Sequence, residues 1–300
     1  MPQYRKLQKI GGSSYFITLP KSWIEKNSLT GGKLILLTES STGDLIISPY
    51  KTVENIRSVN LKLDNIDYDI MVRMIASAYI NGCTVINIMS SDKRSLKNAE
   101  KYIESRLPGF ILTNEKEDFL SLKFVVDLSS VNFMELFERI DRITSFMCDE
   151  INDENALKEY DIEVDKLYFL LVRILRTAIM DSSLAKVIGL SAVHILDFRL
   201  VLHAIERFGD ELVILSGRNI SETLQKIKLL KELSVKAFTG NSKVKPEEIE
   251  ELKNKAYNSL TNVENETKPH LWRLVELASD IADLSETLYK SSEQEVQSLK

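Results

Sequence analysis

Gly11-Gly12-Ser13-Ser14-Tyr15-Phe16-Ile17-Thr18-Leu19-Pro20-Lys21-Ser22-Trp23-Ile24 decides the reading of the first fifty residues. Leu7 and Ile10 precede a glycine pair that can take positive φ, so the chain can reverse there and return as an extended Tyr15 to Leu19. Pro20 cannot continue a ladder but suits the first turn of a helix, which Trp23 and Ile24 allow to pack and Gly31-Gly32 ends. Lys33 to Glu39 is rich in Ile and Leu, Ser40 to Asp44 is a turn cluster around Gly43, and Leu45-Ile46-Ile47 returns before Pro49 closes the strand. Four short strands around one helical turn result. A unit this small buries too little surface to stand alone, and a dimer is the natural remedy.

The charge is segregated. Residues 1–52 hold seven Lys and Arg against three Asp and Glu, while the whole chain is at −5. Arg5, Lys6 and Lys9 lie on or beside the first strand, and Lys21 and Lys26 on the short helix. Doubled by two-fold symmetry, they form a cationic face suited to phosphates.

The Gly-Gly-Ser-Ser run and the Leu-Pro-Lys-Ser-Trp segment resemble the AbrB/MazE/SpoVT family of DNA-binding modules, in which two chains interlock small β-hairpins. The resemblance implies a homodimer or higher oligomer that binds DNA through Arg5, Lys6, Lys9, Lys21 and Lys26. The residues alone leave open a solvated basic surface used only for dimerisation.

Three hundred residues exceed one typical domain. No stretch reaches the ~18 to 20 uninterrupted apolar residues of a membrane span. The longest candidate, Leu167 to Met180, is broken by Arg173 and Arg176. No apolar signal core opens the chain, and Cys83 and Cys148 sit in apolar settings without partners at metal spacing. Reduced core thiols and a cytoplasmic location are expected.

From Arg57 to Asp127 strand and helix signals alternate. Val59-Leu61-Leu63 has period two, Tyr68 to Tyr79 is helical, Thr84 to Met89 is an apolar strand, and Leu96 to Leu107 is a helix stopped by Pro108-Gly109. Phe110-Ile111-Leu112 and Leu120 to Val126 form a hairpin around Asn114 to Asp118, giving the order βαβαββ. Without a Gly-rich phosphate loop or a catalytic cluster, this layer reads as a spacer or an interface, with a small-ligand pocket as the alternative.

Beyond Val131 the periodicity is helical. Helices are expected at Asn132 to Ile151, Glu154 to Met180, Ala192 to Leu215, Ser221 to Phe238, Pro246 to Asn265 and His270 to Tyr289. Asn219 or Ser221 can cap the fourth, Thr239-Gly240-Asn241-Ser242 is a turn cluster, and Pro246 and Pro269 fit first-turn positions.

On those helices acids recur four residues apart and so on one face: Asp161 and Asp165, Glu206 and Asp210, Glu276 and Asp280. With 44 acids in 300 residues, chance alone gives roughly six such pairs, so spacing does not carry an assignment. Their company is more telling, because Arg199, His203, Glu206 and Asp210 form one stripe, and Arg273, Glu276, Asp280 and Asp283 another. His194 and His270, near helix starts, are expected to satisfy local backbone groups.

Leu196-Asp197-Phe198-Arg199 followed by Ile205-Glu206-Arg207-Phe208-Gly209-Asp210 resembles the PhoU family of phosphate-transport regulators, over about residues 131 to 290. The resemblance implies that Asp161, Asp165, Glu206, Asp210, Glu276 and Asp280 bind divalent or trivalent metal ions such as iron, zinc, manganese or magnesium. A fourth motif belongs before Pro269, yet Val263-Glu264-Asn265-Glu266 departs from the spacing, which leaves one cluster site incomplete. The other reading is a solvated or salt-bridged groove with Arg199, Arg207 and Arg273.

The expected fold is multidomain α+β: a swapped-hairpin β module over 1–52, a small α/β middle domain over 57–127, and an all-α PhoU-like helical bundle over 131–290. The resemblances together imply a phosphate-responsive regulator, not an enzyme, that binds DNA to control phosphate uptake genes and whose partners include a phosphate transporter ATPase or a sensor protein. One alternative is a transport accessory protein whose hairpin module only oligomerises. A metal-dependent phosphoesterase lacks an identifiable general acid, and an antitoxin would end in a short tail rather than some 250 structured residues.

Overall fold

The computed structural model describes residues 4–12, 14–39, 43–49, 57–240 and 244–298, and the chain divides into two compact units, Met1–Asn55 and Ile56–Lys300. It is a multidomain α+β protein with N-terminal hairpins, a mixed sheet and a helical region.

In the first unit β1 (Gln8–Ile10) pairs antiparallel with β2 (Ser14–Phe16), Lys9 opposite Tyr15. Gly11 turns the chain at φ 62°, a conformation that costs glycine little. Helix α1 (Lys21–Lys26) starts just after Pro20, whose carbonyl accepts from the N–H groups of Trp23 and Ile24. Pro20 thus stands outside the first turn rather than within it. The helix also ends earlier than its glycines suggest. Asn27 Nδ2 donates to Trp23 O at 2.8 Å and Ser28 takes φ 52°, while Gly31-Gly32 form a separate turn. β3 (Ile35–Glu39) and β4 (Leu45–Pro49) make the second hairpin, Leu37 opposite Ile47. Of the connecting turn expected over Ser40 to Asp44, residues 40–42 lie outside the described residues.

The second unit begins with β5 (Ser58–Lys62), α2 (Tyr68–Ile80), β6 (Val85–Met89), α3 (Lys93–Arg106), β7 (Phe110–Lys116) and β8 (Phe119–Phe124), the βαβαββ order of the sequence. The sheet order is β5-β6-β8-β7, with β5 and β6 parallel and the rest antiparallel. A crossover through α2 permits the parallel pair, and the alternation along β6 sends Ile86 and Ile88 into the core. Met71, Ile75 and Tyr79 of α2 and Leu96, Ala99 and Ile103 of α3 meet them there.

Seven helices follow among the described residues: α4 (Phe133–Asp149), α5 (Glu154–Met180), α6 (Ser182–Ile188), α7 (Ala192–Ile214), α8 (Ser221–Phe238), α9 (Pro246–Ser259) and α10 (Lys268–Ser298). Asn132, Asp153 and Ser191 cap α4, α5 and α7 through their side-chain oxygens. Neither Asn219 nor Ser221 caps α8, which starts behind Ile220 with no side-chain cap. Helix α9 is shorter than expected and gives way to a 3₁₀ turn over Leu260–Asn262. The short α6 has no counterpart in the sequence reading. Of the turn cluster near Thr239, residues 241–243 lie outside the described residues.

Phe133, Phe137, Phe198 and Phe238 gather in the bundle core, Phe198 and Phe238 at a 4.9 Å centroid distance. Helix α5 is shared: it packs on α4 and α7 and also on α2 and α3. There Arg173 is 2% exposed, its guanidinium 3.8 Å over the Phe124 ring and donating to Tyr79 O at 2.5 Å and Cys83 O at 3.0 Å. Among the described residues no single helix is long and apolar enough to cross a membrane.

Candidate nucleic-acid interface and carboxylate cluster

Arg5, Lys6, Lys9, Lys21 and Lys26 are all exposed. Lys9 stands in β1 with Arg5 and Lys6 just ahead of it, and Lys21 and Lys26 mark the two ends of α1. Lys21 approaches Glu25 at 3.6 Å with side chains 89% and 65% exposed, a pairing too solvated to neutralise it against a phosphate. None of the described residues of this unit is buried. Leu7, Ile10, Tyr15, Leu34, Leu37 and Leu45 are all more than half exposed. Exposed apolar side chains at this density are what an interaction surface presents.

The second unit draws Asp161 and Asp165 of α5 and Glu206 and Asp210 of α7 together. Burial pushes Asp165 up to about 6, against the pull of Arg106 and with repulsion from Asp161 and Asp210. Burial, then Asp210 and Asp165, push Glu206 up to about 7, opposed by Arg207 and Arg199. Asp210 is likewise raised, by burial first and Asp161 second. The charge is met by arginine. Arg106, the last residue of α3, lies 3.3 Å from Asp161 and hydrogen-bonds Asp165, and Arg207 Nη1 lies 3.6 Å from Asp210. His203 Nδ1 is 3.7 Å from Glu206, and Arg199 sits 5.5 Å over the Tyr168 ring.

Glu276 and Asp280 do not join this cluster. Glu276 accepts from Tyr257 of α9, and Asp280 is raised by burial and then by Asp283, against Lys253. Arg273 Nε instead lies 3.0 Å from Glu211 Oε1 as an ion pair. His270, read as a local backbone partner, instead places Nδ1 2.7 Å from Glu211 Oε2. Among the described residues no three His, Cys, Asp or Glu side chains converge on one metal position.

Three features escaped the sequence reading. Arg106 lies 55 residues before Asp161 and marks itself only as a cation closing an amphipathic helix. Lys231 is 0% exposed and reaches Asp141 Oδ1 at 2.7 Å, Thr144 Oγ1 at 2.8 Å and Ser145 Oγ at 3.0 Å. Its position among Ile227, Leu230 and Val235 was the available signal, a lysine on the apolar face of α8. Glu211 is 3% exposed and sits one residue past a pair whose spacing drew the attention.

Residues 8–55 match the family described as antidote-toxin recognition MazE, bacterial antitoxin. The chain is therefore MazE-like in its first unit, and modules of this type dimerise and bind DNA. No curated protein and no solved structure matches the chain.

Proposed function

We propose that this chain is a dimeric, DNA-binding regulator that responds to phosphate status. The observation that carries it is the first unit, which is MazE-like, presents five exposed cations and buries none of its described residues. Two copies interlocked through the hairpins cover the apolar faces and double the cationic surface. The phosphate response rests on the PhoU-like motif in α7 and is the finer part of the proposal. The test is to crosslink cells grown in high and low phosphate, recover the chain and sequence the attached DNA. Discrete sites near phosphate-uptake genes that change with phosphate support the regulator. No enrichment in either condition removes DNA from the function and leaves a transport accessory protein whose first unit only oligomerises.

Metal enters this reading only as a competitor of Arg106. A cation held by Asp161, Asp165, Glu206 and Asp210 needs that guanidinium to leave, and no step of the proposal depends on it. Metal analysis of the purified protein and of the Asp210→Ala variant decides the matter, equal contents removing these acids from metal chemistry.

The MazE likeness favours a second reading, antitoxin-type regulation. The unit that would occupy the place of a toxin-binding tail spans Ile56–Lys300 and has its own core, which sets this reading behind the first. Co-purification of a toxin neutralised by the chain would reverse the order.

A further inference from the structure

A cleft of about 460 Å³ opens at the start of α8, lined by Arg218, Ser221, Glu222, Thr223, Lys226 and Thr267 among others. Helix N-termini present unpaired N–H groups and a positive dipole end, and both suit an anion. Here those groups are unspent. Ile220 provides no side-chain cap, and the N–H groups of Ser221, Glu222 and Thr223 meet no acceptor among the described residues, the first helical bond being Leu224 N to Ile220 O at 2.9 Å.

Thr267 is the independent sign. It is 3% exposed, it lines the cleft, and its hydroxyl makes no hydrogen bond among the described residues. Its oxygen is not one of the fully buried unpaired side-chain atoms, so the little of Thr267 that stays open includes the hydroxyl, on the lining of the cleft. Two cations flank the helix start. Arg218 Nη1 is 4.0 Å from Glu266, beyond hydrogen-bond reach, and Lys226 is 3.0 Å from Glu222 one turn along α8.

We propose that this cleft binds a small phosphomonoester, its phosphate on the N–H groups of Ser221, Glu222 and Thr223 between Arg218 and Lys226. The volume lies in the range of small-molecule sites and leaves room for a sugar or nucleoside body beside the phosphate. Glu222 and Glu264, also on the lining, are acceptors for the hydroxyls of that body, and Thr267 serves its polar edge. Two acids beside two cations disfavour a bare anion and favour one that carries hydroxyls.

Calorimetric titration of the full chain with adenosine monophosphate, glucose 6-phosphate and inorganic phosphate tests this, without DNA and so independently of the regulator reading. At least one ester should bind saturably and more tightly than inorganic phosphate. Arg218→Gln and the near-isosteric Thr267→Val should each weaken it about tenfold, as expected for one lost charge-assisted or buried hydrogen bond. Circular dichroism checks that both variants are folded, and Arg218, being half exposed, is the safer of the two. Absence of saturable binding by both esters, or affinities unchanged in both variants, overturns the site. Inorganic phosphate binding as tightly as the esters overturns the ester assignment.

Discussion

Arg106 joins two parts of one unit through a side chain: it ends α3 of the sheet layer and is held by Asp161 and Asp165 of the bundle. The three side chains are about a quarter exposed, so the contact is screened only in part. Replacing Arg106 with Ala leaves two half-buried carboxylates without their cation and should destabilise the second unit by about 1–3 kcal/mol, read as a lowered denaturant midpoint at pH 7.5. Glu206 titrates in the opposite sense to a salt-bridged acid. Its folded value of about 7 lies above its ordinary 4.5, so the folded state binds more protons between those values and this group's stability contribution falls as pH rises through them. Glu206→Gln should therefore raise the melting temperature relative to the parent at pH 8, with the difference shrinking toward pH 5. A difference that is constant with pH would show that Glu206 is not the titrating group.

At the scale of elements, Gly109 bears the tightest constraint in the sheet layer. It takes φ 91°, and an added Cβ would lie 2.6 Å from Phe124 and 2.9 Å from Val126. Gly109→Ala should cost about 2 kcal/mol or more, since the strained φ and the clash with β8 act together, and urea unfolding would register it. The Pro108-Gly109 pair announced this turn in the sequence, as the apolar periodicity announced α2, α5, α7 and α8, because burial on one face imposes that spacing directly. Helix ends were less legible. A hydroxyl or amide near a helix start can cap it, but whether it does depends on backbone geometry, and Asn132 caps while Asn219 does not. Short α6 carries too few apolar positions for a period to emerge, Leu184 alone being buried. The acidic pairs were visible as spacing, yet Asp161 and Asp165 take their cation from α3 and Glu276 its donor from α9, which spacing within one helix cannot announce, while Asp210 faces Arg207 of its own helix.

The whole molecule depends on what the first unit cannot do alone. Its hairpins β1–β2 and β3–β4 leave every described apolar side chain at least partly open, so in the dimeric reading folding and association are one event and stability varies with protein concentration. The same pairing doubles Arg5, Lys6, Lys9, Lys21 and Lys26, and affinity for duplex DNA should then fall steeply with salt, by a slope of about −0.9 per phosphate neutralised. Lys9→Ala combined with Lys21→Ala removes four cations from a dimer. If all four meet phosphates, the slope of log affinity against log salt should become shallower by about 3 to 4, with binding weakened at low salt and the melting of the second unit unchanged. Fluorescence anisotropy across salt concentrations measures the slope, and scanning calorimetry follows the second unit. A slope unaltered by the double substitution would place the DNA contacts elsewhere, while a slope near zero in the parent would mean that the cationic hairpins do not meet phosphate at all.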